Sequence, residues 1–349
     1  MNLEEIFTFE NLYNAHKHCR NSKQHKGEVI RFEVDLYKNL VNMTRELQNR
    51  EYKFGKYKKF YIYEPKQRLI EALPYKDRVA IRCYCDCVVI PKLEKRLILD
   101  NVACRVGKGT LFGMNRLEFF LRNEYRKNND NNIYYLKCDI RKYFPSINHE
   151  ILVEKLKKSG FSKDEMWFAK KLLESQPDFT KVGLALGNQS SQWFALFYLN
   201  TVDRLIKEKL IIKGYVRYMD DLILIHRDKQ YLRMCKIEIE KVCNNELKLS
   251  LNDKTQIGRV ANGIDFIGFR HILTSKGKVI RKLRKSSKIR LKRHLKALEK
   301  LESKNLVDAD YVRIRKNAYY AHILYSNEMR LKKSLHTNLS KPILKKQEL

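Results

Sequence analysis

Two adjacent carboxylates, Asp220 and Asp221, close the tetrapeptide Tyr218-Met219-Asp220-Asp221, with strand-forming residues on both sides: Tyr215-Val216-Arg217 before it and Leu222-Ile223-Leu224-Ile225 after it. The pattern predicts a β-hairpin whose two-residue tip is Met219-Asp220. Such tips favour Asn-Gly or Asp-Gly because positive φ suits those residues, so a methionine there sits in a disfavoured conformation, which points to function. An ordinary acidic turn would carry the same dipeptide. A third carboxylate argues for chemistry: Asp139 follows the run Ile133-Tyr134-Tyr135-Leu136-Lys137-Cys138 and also ends a predicted strand. Two-metal phosphoryl transfer requires hard oxygen ligands converging on two Mg²⁺ ions about 4 Å apart, one activating an attacking hydroxyl and one holding a triphosphate. Asp139 and Asp220 can supply such ligands. The Ile140 carbonyl is the expected further one and Asp221 a supporting one, and Mn²⁺ could substitute.

These residues resemble the reverse transcriptases, whose palm carries one Asp in a first motif and a Tyr-x-Asp-Asp box in a later one. The resemblance runs from Phe7 to about Lys333. It implies an α+β, right-hand polymerase architecture: fingers, a palm of antiparallel sheet plus helices, and a basic helical thumb. It also implies RNA-directed DNA synthesis, with a template RNA, an RNA–cDNA duplex and dNTPs as partners and Mg²⁺ as cofactor. Phe144, five residues after Asp139, falls where these enzymes place an aromatic that blocks the 2′-hydroxyl of ribonucleotides; a core aromatic beside a strand would look the same. Lys254 matches a lysine that can donate a proton to leaving pyrophosphate, or is one more solvated lysine. Gly263-Ile264-Asp265-Phe266-Ile267-Gly268-Phe269 resembles the primer-grip hairpin, placing Gly268 against nucleic acid along with Tyr218 and Met219. In Pro65-Lys66-Gln67-Arg68 and Tyr75-Lys76-Asp77-Arg78, the basic side chains Lys66, Arg68 and Arg78 are expected on the incoming triphosphate. Arg68 has the best claim because a guanidinium fork matches phosphate oxygens; a charged loop face would also explain the other two.

The segment Leu186-Gly187-Asn188-Gln189-Ser190-Ser191-Gln192 stands where most reverse transcriptases have Gln-Gly-x-x-x-Ser-Pro. Leu186, Gly187 and Gln192 are therefore expected around the incoming dNTP. The departures at both ends, with Ala103-Cys104-Arg105-Val106-Gly107-Lys108-Gly109-Thr110, resemble the reverse transcriptases of diversity-generating retroelements. Those enzymes copy a template-repeat RNA, misincorporate opposite adenines and feed mutagenic retrohoming; Leu186 in place of Gln would loosen packing around the nascent pair. The same resemblance alone implies a small basic helical accessory protein. Two other readings stand beside this one. A phage-defence or retron-type reverse transcriptase would share the palm and differ in its neighbouring genes. A catalytically silent RNA-binding protein predicts damaged carboxylates, and Asp139, Asp220 and Asp221 are intact.

Composition agrees with a nucleic-acid partner, since 72 Lys and Arg against 40 Asp and Glu leave +32 on 349 residues. Half of that excess lies in residues 276–349, with 22 basic and 6 acidic residues. Residues 281–296 hold nine basic residues and no acidic one, with Leu283, Ile289, Leu291 and Leu295 on one helical side. A thumb helix along the duplex fits, offering Arg281, Arg284, Lys285, Lys288 and Lys292. No lipid-facing aromatic stripe or transmembrane run stands out, and the start lacks a signal sequence, so no membrane partner and a cytoplasmic setting are expected. The eight cysteines lack zinc-knuckle spacing and read as reduced thiols.

The elements that must position the site follow from periodicity. Residues 1–135 read as a helical start and fingers, 136–275 as palm with a fingers insertion at about 155–182, and 276–349 as thumb. Residues 1 to about 60 read as helical, with Phe32, Leu36, Leu40, Met43 and Leu47 at helical spacing. Strands are expected at 133–139, 215–225 and 264–270, and helices from near Asn148 and from Ser191 through Leu205, with the helices on one face of the sheet.

Overall fold

A computed structural model describes residues 1–64, 66–176, 181–329 and 331. Pro65, the part of the expected insertion at 177–180 and the tail of the expected thumb from 332 lie outside the described residues.

The chain begins with helices α1 (Leu3–Ile6), α2 (Phe9–Arg20), α3 (Gly27–Val34) and α4 (Leu36–Gln48). The expected helical start is thus four helices that end at Gln48, short of residue 60, and the run from Phe32 to Leu47 spans two of them. The break falls at Asp35, and the Phe32 carbonyl accepts from Asn39 Nδ2 at 3.0 Å. Strands β1 (Lys58–Ile62) and β2 (Arg68–Ala72) form an isolated antiparallel hairpin, followed by α5 (Tyr75–Tyr84), the short α6 (Ile90–Leu93) and the long α7 (Thr110–Asn128). Asp77, buried on α5, accepts from the Tyr52 hydroxyl at 2.6 Å and the Gly55 amide at 2.9 Å, fastening the approach to β1.

Next come β3 (Tyr134–Asp139), α8 (Tyr143–Ser146), α9 (His149–Lys158), α10 (Lys163–Glu174), α11 (Gln189–Tyr198) and α12 (Asn200–Arg204). Asn148 caps α9 by accepting from the Ile151 amide at 3.0 Å, where the sequence places the helix start. The helix predicted from Ser191 through Leu205 is divided at Leu199, and a π-helical turn, Leu205–Lys209, follows α12. Strands β4 (Gly214–Tyr218) and β5 (Asp221–His226), helix α13 (Lys229–Glu246) and strand β6 (Gln256–Arg259) complete a four-stranded antiparallel sheet of order β4-β5-β3-β6.

That sheet is covered on both faces, not one. Leu136, Cys138, Leu222 and Leu224 face the large core shared with α9, α11 and α13. Their alternates Tyr135, Ile223 and Ile225 face a second core with Leu117 and Phe120 of α7. Double burial explains why β5 reads as an unbroken apolar run. Beyond it, β7 (Ile264–Phe266), β8 (Phe269–Leu273) and β9 (Val279–Leu283) make a three-stranded antiparallel meander that leads to α14 (Lys285–Ser303) and α15 (Ala309–Leu324). On α14 the apolar stripe is Leu291, Leu295 and Leu298; Leu283 belongs to β9, and Ile289 is exposed. All eight cysteines are free. No helix among the described residues is long and apolar enough to cross a membrane.

Candidate active site

The β4–β5 connection is the two-residue turn that the sequence predicts. Tyr218 pairs with Asp221, leaving Met219 and Asp220 at the tip, and Met219 has φ +55°. A buried arginine holds this turn. Arg217 donates from Nη1 to the Met219 carbonyl at 2.8 Å and from Nη2 to the Leu196 carbonyl at 2.9 Å, and grips Asp203 of α12 through Nε at 2.7 Å and Nη2 at 2.6 Å. Tyr215 adds its hydroxyl to Asp203 at 2.6 Å. Arg217 and Asp203 are both fully buried, so the pair must satisfy each other. It fixes the strained tip to the helical layer.

Register delivers the third carboxylate. β3 pairs with β5 so that Asp139 is the direct partner of Asp221. By the two-residue period, Lys137, Asp139 and Asp221 project from one face of the sheet. Past Asp139 the strand forms a bridge between Ile140 and Leu251, made by the Asn252 amide on the Asp139 carbonyl at 2.7 Å and the Arg141 amide on the Ser250 carbonyl at 2.9 Å. In that pattern the Ile140 carbonyl faces the opposite edge, the side of the β4–β5 turn.

The electrostatics are those of crowded acids. Burial pushes the Asp221 carboxyl up to about 6, with Asp139 and Asp220 adding to the shift and Lys137 opposing it. Burial also raises Asp220, assisted by Asp139 and countered by Arg68 and Arg217. Lys137 donates from Nζ to Asp221 Oδ2 at 3.0 Å and to the Asp265 carbonyl at 2.6 Å, tying β3 to the meander. Asp221 Oδ1 is buried and has no hydrogen-bond partner among the described residues. Among those residues no group of three or more His, Cys, Asp or Glu side chains forms a metal-binding cluster. The donor set still suits hard divalent cations: Asp139, Asp220 and the Ile140 carbonyl offer oxygens, while Asp221 is engaged by Lys137.

Around these acids, Arg68 begins β2 and is exposed, and its charge acts on Asp220. Lys66 is exposed in the turn before it. Phe144 is half-buried on α8, edge-on to Tyr143 at 5.8 Å, and its carbonyl accepts from Leu184. The segment 186–188 is joined to the β1–β2 hairpin. The Leu186 carbonyl accepts from the Glu71 amide at 3.0 Å, Asn188 Nδ2 donates to the Tyr57 hydroxyl at 3.0 Å, and Gly187 (φ +150°) lies so near that a Cβ there would stand 2.6 Å from the Glu71 carbonyl oxygen. Gln192 is exposed on α11 and accepts from Cys104 Sγ at 3.3 Å. Tyr218 packs against both cores and Met219 against the larger one. Lys254 is exposed in a turn after Asn252, its amide on Asn252 Oδ1.

Two expected contributors stand elsewhere. Arg78 pairs with Glu28 of α3 and lies over the Tyr75 ring at 5.4 Å, so its charge is engaged by the N-terminal helices. Arg281 is on β9, not on the thumb helix. It is buried and bound to Glu118 at 2.8 Å, Asn115 at 3.1 Å and the Tyr325 carbonyl at 3.2 Å, which joins α7 to the meander and excludes it from a duplex-facing row. Lys288 is paired with Glu328, Arg284 is half-buried before α14, and Lys285 and Lys292 are exposed. Gly268 (φ +84°) makes the β7–β8 turn, and its carbonyl accepts from the Arg284 amide at 3.2 Å. A contact not expected from sequence links the hairpin turn to α14, where Glu64 accepts from Arg293 and, at 2.6 Å, from His294.

An antiparallel sheet ending in paired aspartates, covered by helices and flanked by a fingers-like hairpin, defines a polymerase palm. A family model described as reverse transcriptase (RNA-dependent DNA polymerase) matches residues 76–271, more than half of the chain, and the chain belongs to that family. Among solved structures it is similar to apo telomerase from Candida tropicalis, at 15% identity and a TM-score of 0.52, over 66% of this chain and 49% of that one. Telomerase from Candida tropicalis in complex with a TWJ fragment of telomeric RNA gives 15% identity and a TM-score of 0.51, over 76% and 52%. At these identities the likeness concerns the fold, a mixed helical and antiparallel polymerase fold, and the chain spans about half the length of these proteins. No curated protein matches.

Proposed function

We propose that the chain is an RNA-directed DNA polymerase that extends a primer on an RNA template, of the error-prone type found in diversity-generating retroelements. The observation that carries the polymerase reading is the register that sets Asp139 opposite Asp221 with Asp220 at the adjoining tip. Asp139, Asp220 and the Ile140 carbonyl would hold two Mg²⁺ ions, which when bound activate the primer hydroxyl and neutralise charge on the triphosphate. Asp221 supports the set from its ion pair with Lys137. Arg68, with Lys66, would bind triphosphate oxygens. Phe144 and the 186–192 segment would bound the nucleotide, and Lys254 is available to protonate the leaving pyrophosphate. Gly268 with Lys285, Lys292 and Arg284 would follow the duplex. The error-prone reading rests on Leu186, an apolar residue on a segment fixed to the hairpin. A small basic accessory protein and a cytoplasmic setting belong to the same reading.

The test is primer extension by the purified protein on an RNA template with Mg²⁺ and four dNTPs, the products sequenced, beside Asp220→Asn. Extension lost in the variant, with errors concentrated at template adenines, supports both levels. Extension with evenly low errors keeps the polymerase and removes the mutagenic subclass. Extension unchanged in Asp220→Asn refutes the site.

A further inference from the structure

On the helical side of the sheet, α9, α12, the π-helical turn and α13 enclose an open cavity of about 540 Å³ whose walls include Arg96, Lys155, Phe197, Asn200, Thr201 and Arg204. Nothing in the polymerase reading uses it. We propose that this cavity binds a phosphate-bearing molecule of nucleotide size.

Three observations carry the assignment. Lys155 lies largely out of water over the face of Phe197, 5.4 Å from the ring centroid, and its Nζ donates to the Thr201 hydroxyl. Glu246 and Asp203 act on that ammonium from a distance, and neither forms an ion pair with it among the described residues. A largely buried cation with no ion-pair partner is costly, and a bound anion lowers that cost. Secondly, Asn200 is 5% exposed and its Oδ1, an acceptor, has no hydrogen-bond partner, which calls for an O–H or N–H donor on the organic part of a ligand and not for the phosphate itself. Thirdly, Arg96, Lys158, Arg204 and Lys209 bring further positive charge to the rim against Glu208 and Glu246. Arg204 holds Glu208 at 3.1 Å on an exposed edge that an incoming phosphate can compete for. The volume and the apolar wall of Phe197, Leu205 and Val242 suit an organic phosphate better than a bare ion. Burial holds the Lys155 ammonium down to about 8, so anion binding would be linked to its proton. Thr201 and Arg204 stand on α12 with Asp203, so the ligand would rest on the helix that clamps Arg217.

The experiment is calorimetric titration of the full-length Asp220→Asn protein with ATP in EDTA, which removes metal-dependent nucleotide binding at the carboxylates. One ATP per chain is expected, with affinity at least tenfold lower in Lys155→Met and in Arg204→Gln. If Lys155→Met does not fold, Arg204→Gln, which changes a half-exposed side chain, decides alone. No binding at millimolar ATP, or binding equal in every folded variant, overturns the proposal. The phosphate could be carried by a free nucleotide or by an RNA 5′ end. ATP binding that a 5′-phosphorylated oligoribonucleotide does not displace assigns a free nucleotide; displacement by that oligonucleotide and not by its 5′-hydroxyl counterpart assigns the RNA end.

Discussion

Arg217 and Asp203 meet edge to edge with two short hydrogen bonds, of 2.7 and 2.6 Å, and neither is reached by solvent. Because the same guanidinium also holds the Met219 carbonyl, the stability of the palm and the aim of Asp220 depend on one side chain. Arg217→Met leaves Asp203 buried and unpaired, with an expected loss of about 3–5 kcal/mol. Arg217→Lys keeps charge but loses the fork. It should fold, bind RNA near wild-type affinity and extend primers at least tenfold more slowly, measured by single-turnover extension beside filter binding. Wild-type extension by Arg217→Lys would mean the tip needs no such support.

Asp139→Asn and Asp220→Asn should each abolish synthesis and leave RNA binding nearly intact, because the basic surfaces are untouched. Retained polymerisation in either would remove that residue from the metal set.

Asp221 gives a pH signature. Its carboxyl titrates near 6 in the fold against about 4 when unfolded, so folding favours the protonated form. The stability this group contributes is present below pH about 4 and lost as pH rises through 6. Asp221→Asn should therefore be more stable than wild type without metal above pH 6, by at most about 3 kcal/mol. That advantage should vanish towards pH 4. Thermal melts of both proteins in EDTA from pH 4.5 to 8 check it, and a pH-independent difference would place the shift elsewhere.

The basic row should divide into two classes. Lys285→Gln with Lys292→Gln should weaken duplex binding and flatten the plot of log affinity against log salt by up to about 2, near 0.9 per phosphate contact. Arg281→Gln should lower thermal stability instead, since its guanidinium is bonded to Glu118 and Asn115. An unchanged salt slope in the double variant would place the duplex on another surface.

Glu64→Gln should loosen the contact between the β1–β2 turn and α14 and raise the rate of primer–template association at low salt. Stopped-flow fluorescence with a labelled duplex reads this directly, and an unchanged rate would show that the contact does not limit entry.

The acids were legible because adjacent carboxylates at a strand–strand junction are uncommon and the flanking residues announce both strands. The supporting pair was not. Arg217 interrupts a strand as any solvent-facing arginine would, and Asp203 lies 14 residues upstream in a helical stretch, so only folding brings them together. Lys137 hid in the same way inside an apolar run. The run of nine basic residues misled because it spans a strand, a cap and a helix; the helix begins only at Lys285, which puts Arg281 indoors. Covering of the second sheet face by α7 could not be read locally, since that helix precedes the sheet in sequence and meets it only in space.

The attachment of residues 186–188 to the hairpin makes two neighbouring positions unequal before any selection acts on them. At 187 even one methyl group collides with the Glu71 carbonyl oxygen, so variation there is penalised at assembly. At 186 the join is made by the backbone carbonyl, which every residue type carries. The join to the hairpin therefore survives an exchange of side chain at 186 and not at 187, which confines variation in this segment to one of the two neighbours.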